Sequence, residues 1–167
     1  MSTETIRLAV ETDLPQVVDG IEAIRHGTLW EHLVPEPNRL HILRWLMHTL
    51  TNDPTHALFV ADLDETIIGL VGGNLVTEYF VPDMLFLYEW AWWVKPEARG
   101  DGIGWRLWKA LMGWAKERGA SGAIYAKSIK VPDLTRPHAF EKRVWMPLEE
   151  SHVIRVQQTE RGTAVAV

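Results

Sequence analysis

Apolar and polar positions along the chain fall into two kinds of pattern, and these predict its secondary structure. Apolar runs rich in β-branched and aromatic residues, bounded by turn residues, predict strands near residues 5–9, 55–61, 66–78, 84–94, 122–129 and 148–156. Amphipathic patterns predict helices near residues 12–25, 38–50, 103–118 and 136–143. The predicted order is β-α-α-β-β-β-α-β-α-β, which is an α/β (α+β) chain with a mixed sheet.

Boundary residues support these elements. Pro15 lies early in the first helix, Pro54 follows the second, and Gly119 follows the third, as is typical of helix starts and stops. The two strands near residues 55–61 and 66–78 are expected to form a hairpin that turns at residues 62–65.

Length and composition favour a single small domain. The chain has 167 residues, no internal repeat and no low-complexity tract, so we expect one domain over residues 1–158 and a tail over residues 159–167. No apolar run is long enough to span a membrane and the first residues lack a signal-peptide pattern, so a cytoplasmic location is expected.

Charge and cysteine content narrow the chemistry. The formal net charge is −5, which argues against nucleic acid as a partner and for a cationic or neutral one. The chain has 0 cysteines, which excludes disulfides, thiolate metal sites and a cysteine nucleophile, and no metal is expected.

The most informative segment follows the strand near residues 84–94. Three glycines, Gly100, Gly102 and Gly104, lead from this strand directly into an amphipathic helix. Glycines can turn successive backbone N–H groups toward an anion, and the helix N-terminus and Arg99 add positive charge. A phosphate-binding loop is one interpretation, and a plain tight turn is the alternative.

The spacing discriminates between nucleotide-binding folds. GxGxG fits the Rossmann fingerprint GxGxxG poorly, and no GxxxxGK[ST] motif occurs. The segment resembles the acetyl-CoA loop of the GNAT N-acetyltransferase family, [RQ]-x-x-G-x-[GA] after a strand ending in V-x-P. The matching residues are Val94-Lys95-Pro96 and Arg99-Gly100-Asp101-Gly102-Ile103-Gly104.

The resemblance covers nearly the whole chain and implies a GNAT fold, with about six or seven strands and about four helices. It implies that residues 99–104 bind the acetyl-CoA diphosphate. It also implies that the backbone of Trp92, Trp93 and Val94 pairs with the pantetheine arm as a missing strand would. The alternative for at least one of these tryptophans is a purely structural place in the core.

Asp101 departs from the family pattern, which has a cationic or neutral residue between the glycines. It would lie near a diphosphate of the same sign. We expect instead that its side chain caps the following helix.

Transfer to an amine requires a base, because a lysine-like amine is protonated near neutral pH. Glu89 lies five residues before Val94, where family members often carry an acidic residue, and it is the first candidate. Its alternative is a strand carboxylate in an ion pair. Glu78, His26 and His32 are weaker candidates.

The group that would protonate the departing thiolate is a second difference from the family. Many members place a tyrosine near the start of the last helix, and Phe140 stands at that position here, beside the cofactor by resemblance. Val144 replaces the usual glycine, and no asparagine precedes Phe140 at the customary place. His138 could serve as the acid, although a helix-terminal role is the simpler interpretation.

The helix near residues 103–118 has a second apolar stripe. At about 100° per residue, Trp105, Trp108 and Met112 lie opposite the face that packs on the sheet. Either other elements of the chain or a second subunit must cover this stripe. A homodimer is therefore expected as one alternative, testable by sedimentation.

These observations predict an acetyl-CoA-dependent N-acetyltransferase that acts on a primary amine of a small molecule, peptide or protein by direct attack in a ternary complex. The alternatives are a degenerate GNAT domain that binds CoA or a partner without turnover, and an assembly module without cofactor. The acceptor pocket is expected near residues 30–34 and 78–80 and the last two strands.

Overall fold

The computed structural model describes residues 4–26, 36–77 and 83–125. Its strands are β1 (Glu4–Leu8), β2 (His56–Leu63), β3 (Thr66–Thr77), β4 (Leu85–Val94) and β5 (Gly122–Ile124). Its helices are α1 (Leu14–Arg25), α2 (Arg39–Asn52) and α3 (Ile103–Glu117). The order β-α-α-β-β-β-α-β agrees with the prediction, and the elements predicted near residues 136–143 and 148–156 lie outside the described residues.

The strands form one mixed sheet in the order β1-β2-β3-β4-β5. The first three pairings are antiparallel and β4 pairs with β5 in parallel. The β2–β3 hairpin turns at Asp64 and Glu65, whose φ angles of 49° and 66° lie in the left-handed region. The turn is therefore shorter than the predicted residues 62–65, and β2 extends to Leu63.

The helices cover both faces of the sheet and create two apolar cores. On one face, α3 packs against β2, β3 and β4 through Leu107 and Leu111, both fully buried. On the other face, α1 and α2 pack against the same strands through Val17 and Leu46. Because helices cover both faces of the sheet, the sequence of β3 is a nearly continuous apolar run rather than an alternation of apolar and polar residues.

Local signals account for most helix ends. The Asn38 side chain caps α2 by accepting a hydrogen bond from the His41 amide at 3.0 Å. Pro15 lies in the first turn of α1, which follows a short 3-10 turn over Glu11–Asp13. Gly119 ends α3 with a φ of 87°, as its position in the sequence predicts.

A partly buried ionic cluster joins the first strand to the first helix. Arg7 on β1 donates from Nη1 to Asp13 Oδ2 at 2.6 Å and from Nη2 to Asp62 Oδ2 at 2.7 Å. The hydrogen bond from Arg7 holds the pKa of Asp13 below its ordinary value, and these carboxylates raise the pKa of Arg7. The cluster fastens β1 to the start of α1 and to the β2–β3 hairpin.

The second apolar stripe of α3 is partly covered by the chain itself. Trp108 is only 2% exposed and stacks on Trp92 of β4, with ring centroids 5.3 Å apart. Met112 is half-buried against the same core, whereas Trp105 is 40% exposed. Cover from within the chain therefore explains Trp108, and the homodimer stays a prediction.

Candidate active site

The connection from β4 to α3 is a glycine-rich loop that ends at a helix N-terminus. After the 3-10 turn Pro96–Ala98, Gly100 and Gly102 adopt φ angles of 107° and 75°. A Cβ on Gly100 would meet nothing within 4 Å, so backbone conformation rather than space requires glycine there. Gly104 lies inside α3 with an ordinary φ, so two of the three glycines use the left-handed region.

The N-terminus of α3 presents several backbone donors in one place. Gly102 is the N-cap residue, and the first helical hydrogen bond runs from the Arg106 amide to the Gly102 carbonyl at 3.0 Å. Among the described residues, the amides of Gly102, Ile103 and Gly104 have no hydrogen-bond partner. Uncapped amides at the positive end of a helix dipole form a natural site for an anion.

The prediction that Asp101 caps α3 is wrong. The N-cap residue is Gly102, and no side chain caps the helix within the described part of the chain. Asp101 is exposed, and its backbone carbonyl accepts a hydrogen bond from Arg106 Nη1 at 2.7 Å. The left-handed conformation of Gly102 moves the helix start one residue beyond Asp101, so its carboxylate cannot take the cap position.

Arg99 lies between the end of β4 and the loop. Its Nε donates to the Val94 carbonyl at 2.9 Å, and its side chain is otherwise exposed. This contact holds a guanidinium beside the anion site, where its remaining donors face solvent.

Within the described residues, β5 pairs with only the first part of β4. Antiparallel pairing to β3 continues to Val94, but parallel pairing to β5 is limited to Phe86, Leu87 and Tyr88. Within the described residues, the backbone from residue 89 to residue 94 therefore has a strand on one side only. A free strand edge can pair with an extended chain that carries amides.

Both predicted tryptophans of this edge have side chains in the cores. Trp92 packs toward α3. Its indole lies beside Gly104, where a Cβ added to the glycine would be 3.5 Å from Trp92 Nε1, an ordinary van der Waals distance. Trp93 packs on the opposite face against Gly20 and Leu70. Both side chains are partly buried against the cores, as the structural alternative expects, and their backbone lies on the part of β4 that β5 does not cover within the described residues.

A β-bulge changes the direction of the side chains in the middle of β4. Gly72 pairs with Ala91 and Gly73 pairs with Glu89, so Trp90 is an extra residue between two pairs. The Trp90 indole lies directly over Gly72, where a Cβ would be 2.3 Å from its ring carbons. Trp90 and Ala91 consequently both face the α1 and α2 side of the sheet.

Glu89 immediately precedes this bulge and is only 4% exposed. The last parallel pair between β4 and β5 joins Tyr88 to Ile124, so Glu89 is the first residue beyond it. A buried carboxylate therefore lies next to the last pair that β4 and β5 form within the described residues. A carboxylate at such a position can accept a proton from a group that enters between the strands.

A β4 edge that β5 leaves uncovered within the described residues, followed by an uncapped, glycine-rich helix N-terminus, agrees with the comparison of the sequence with protein-family models. The model of the acetyltransferase (GNAT) family matches residues 21–143. The chain belongs to the GNAT acetyltransferase family. No protein among the curated sequences matches it significantly.

Similar solved structures extend over most of the chain. A transcriptional regulator from Bacillus halodurans C-125 has a TM-score of 0.73 at 22% identity, covering 92% of this chain and 100% of its own. A predicted acetyltransferase with acetyl-CoA from Clostridium acetobutylicum has a TM-score of 0.66 at 20% identity, covering 90% and 96%. An aminoglycoside acetyltransferase from an uncultured soil sample, in complex with sisomicin, has a TM-score of 0.62 at 23% identity, covering 95% and 97%. These similarities concern the fold.

Most of the remaining predicted site residues lie outside the described part of the chain. The described part of the chain contains His26, which is exposed just after α1. Glu78, His32, His138, Phe140 and Val144 lie outside the described residues, as do residues 30–34 and 79–80 of the expected acceptor pocket.

Two kinds of feature are absent from the described residues. None of the helices combines the length and apolar character needed to cross a lipid bilayer. No cluster of three or more histidine, cysteine, aspartate or glutamate side chains in these ranges is arranged to hold a metal ion.

The bulge is the part of this GNAT site that sequence reasoning missed. Its signal was present, because a pair of glycines inside a predicted strand is typical of a bulge or of close approach by a large side chain. Gly72 and Gly73 lie in the middle of β3, opposite the bulged residue.

Proposed function

We propose that this protein transfers an acetyl group from acetyl-CoA to a primary amine, by direct attack of the amine in a ternary complex. The observation that carries the proposal is the succession of two features along the chain: the part of β4 that β5 does not cover within the described residues, and the uncapped N-terminus of α3. An extended amide-bearing arm and a diphosphate would use these two features together.

The residues at the loop fit the diphosphate of the cofactor. The amides of Gly102, Ile103 and Gly104 would donate to its oxygens, and the exposed guanidinium of Arg99 would balance part of its charge. The backbone of Trp92, Trp93 and Val94 would pair with the pantetheine arm. The cofactor supplies the thioester whose acetyl group is transferred.

Glu89 would act as the general base. Deprotonating a lysine-like amine of pKa about 10.4 at pH 7.4 costs about 4 kcal/mol, so a proton acceptor at the reacting group is needed. Glu89 is supported by its burial and by its position just beyond the last β4–β5 pair. It would take the proton either directly or through one water.

Phe140 stands where many family members have a tyrosine, and it has no hydroxyl to donate to the departing sulfur. A thiol has a pKa of about 8.5, so water can protonate the thiolate after it departs. This difference also favours one second candidate function, a GNAT domain that binds CoA without turnover.

The acceptor is proposed to be a cationic or neutral amine. The net charge of −5 supports this class, and acetyltransferases of aminoglycosides and of glucosamine-6-phosphate share the fold. The acceptor amine could belong to a small molecule of this kind or to a peptide or protein.

A thermal-shift titration with acetyl-CoA tests the cofactor part of the proposal. Acetyl-CoA at 100 times its Kd should raise the free energy of unfolding by about 2.7 kcal/mol. An unchanged melting temperature at millimolar acetyl-CoA would contradict both the acetyltransferase and the CoA-binding alternative, and would leave an assembly role.

Release of free CoA across a panel of amines then tests turnover. Glu89→Gln keeps the size of the side chain and is expected to lower kcat by about a hundredfold or more, with the affinity for acetyl-CoA unchanged. Glu97→Gln, in the exposed 3-10 turn, is the matched control and should behave as wild type. Equal kcat values for the two variants would exclude Glu89 as the base, and binding without CoA release would favour the non-catalytic alternative.

A further inference from the structure

Arg106 lies in the first turn of α3 and uses three of its nitrogens in contacts that tie the loop to the sheet. Nη1 donates to the Asp101 carbonyl at 2.7 Å. Nη2 donates to both carboxylate oxygens of Glu4 at 2.7 Å, and Nε donates to Glu4 Oε1 at 3.1 Å. Glu4 is the first residue of β1, so the contact joins the edge strand of the sheet to the loop.

The contact with the Asp101 carbonyl orients the next backbone N–H. In a trans peptide the C=O of one residue and the N–H of the next point in opposite directions, and the described chain contains no cis peptide. Holding the Asp101 carbonyl on Arg106 therefore turns the Gly102 N–H away from Arg106. That N–H has no hydrogen-bond partner among the described residues.

Without this contact the peptide between Asp101 and Gly102 would have considerable freedom. Glycine occupies positive and negative φ with similar ease, and Gly100, Asp101 and Gly102 are all exposed. A rotation of this one peptide would replace an N–H donor by a carbonyl oxygen, which repels an anion.

We propose that Arg106, held in place by Glu4, is a positioning residue that orients the Asp101–Gly102 peptide so that its N–H faces the diphosphate of the cofactor. The inference rests on the proposed acetyl-CoA site. Arg106 acts by orienting the peptide rather than by attracting the diphosphate, since Glu4 already balances the charge of Arg106. Arg99 has no such carboxylate among its contacts, and its charge remains available to the anion.

The geometry of the side chain separates this role from simple charge attraction. The planar guanidinium reaches the Glu4 carboxylate and the Asp101 carbonyl at the same time, in different directions. A lysine ammonium keeps the positive charge but is a compact donor that cannot maintain this fork. Arg106→Lys therefore removes the positioning and preserves the charge.

The experiment measures CoA binding by isothermal titration calorimetry for wild type, Arg106→Lys, Glu4→Gln and the double variant. Arg106→Lys is expected to raise the Kd by about tenfold, as for loss of one well-placed donor to a charged group. Glu4→Gln should give a smaller loss in the same direction. The double variant should bind no more weakly than Arg106→Lys, because the two residues act as one unit.

Arg118→Lys is the matched control, since Arg118 lies just after the far end of α3 and stacks on Trp114 with 4.7 Å to the ring centroid. It should bind CoA as wild type does. A backbone readout isolates the positioning: the Gly102 amide resonance should shift on CoA addition in wild type and much less in Arg106→Lys. In acetyl transfer, Arg106→Lys should raise the KM for acetyl-CoA by about tenfold and leave kcat within about twofold.

The outcomes are distinguishable from those of the proposed function. Wild-type protein that does not bind CoA would refute the cofactor site, and this inference with it. Wild-type binding together with an unchanged Kd in Arg106→Lys would overturn the positioning role alone. An equal loss in Arg118→Lys would show that replacing an arginine elsewhere on α3 has the same effect as removing the fork at Arg106, and would also overturn the positioning role.

Discussion

Gly72→Ala should be a severe change for so small a substitution, because the missing Cβ lies under a tryptophan. An ideal Cβ at Gly72 would be 2.3 Å from both Cη2 and Cζ2 of Trp90. This is about 1 Å closer than ordinary van der Waals contact between carbons. The indole is rigid, and Trp45 of α2 packs edge-on against it at 5.1 Å, so it cannot swing aside freely.

The expected cost follows from overpacking. Forcing a methyl group into a filled core site costs about 1–3 kcal/mol, and contact with a braced ring places Gly72→Ala at about 2–3 kcal/mol. For a chain of this size, about 2–4 °C of melting temperature corresponds to 1 kcal/mol, so the midpoint should fall by about 4–12 °C.

Gly113→Ala is the matched control. Gly113 lies on the exposed face of α3, and a Cβ there would meet nothing within 4 Å. Alanine at an unstrained helical position should stabilise by about 0.5–1 kcal/mol. The same chemical change is therefore predicted to have opposite signs at the two positions.

Differential scanning calorimetry of both variants measures these effects. The double variant Gly72→Ala/Trp90→Leu tests the cause, since leucine lacks the outer ring atoms that meet the added methyl. Its destabilisation should be clearly smaller than the sum of the two single changes. A melting temperature of Gly72→Ala at or above that of wild type would refute the placement of the indole over Gly72, and an additive double variant would refute Trp90 as the source of the clash.

Two further predictions concern the loop and the ionic cluster. Gly102→Ala forces a side chain into the left-handed region at a cost of about 1–2 kcal/mol. This variant should therefore bind acetyl-CoA about tenfold more weakly in calorimetry. The control is Gly104→Ala, which lies at an ordinary helical position and should leave the loop conformation intact. Asp13→Asn should lower stability at pH 7 by about 1–3 kcal/mol. Because Arg7 lowers the pKa of Asp13 in the folded protein, the unfolded chain binds the proton more readily, and the stabilisation is complete above the unfolded pKa of about 3.9. It is lost as the pH falls toward the folded pKa, so urea midpoints of wild type and Asp13→Asn should converge below about pH 4. A constant difference between them down to pH 2 would contradict this reasoning.

Much of the fold was predictable from local patterns. The order of the first eight helices and strands, the caps at Asn38 and Gly119, and the glycine-rich entry to α3 are decided by residues within a few positions of one another. Patterns of this kind need no knowledge of distant contacts, and they also led to the family.

The details of the candidate site depend on conformations and contacts that local sequence patterns do not reveal. The prediction for Asp101 was wrong because the neighbouring Gly102 takes the cap position in a left-handed conformation that glycine adopts without the steric cost of a side chain. The hydrogen bonds of Arg106 to Glu4 join residues 102 positions apart, and no local pattern predicts such a pair.

The sequence by itself determined the order of the described helices and strands, the family and the glycine loop, because periodicity, turn chemistry and motif spacing are local properties. Only the tertiary structure decided that Trp90 bulges over Gly72, that Glu89 lies next to the last described pair between β4 and β5, and that Arg106 reaches Glu4. These features depend on which strands become neighbours and on which side chains then compete for the same space. The chemistry proposed for the chain depends on both levels.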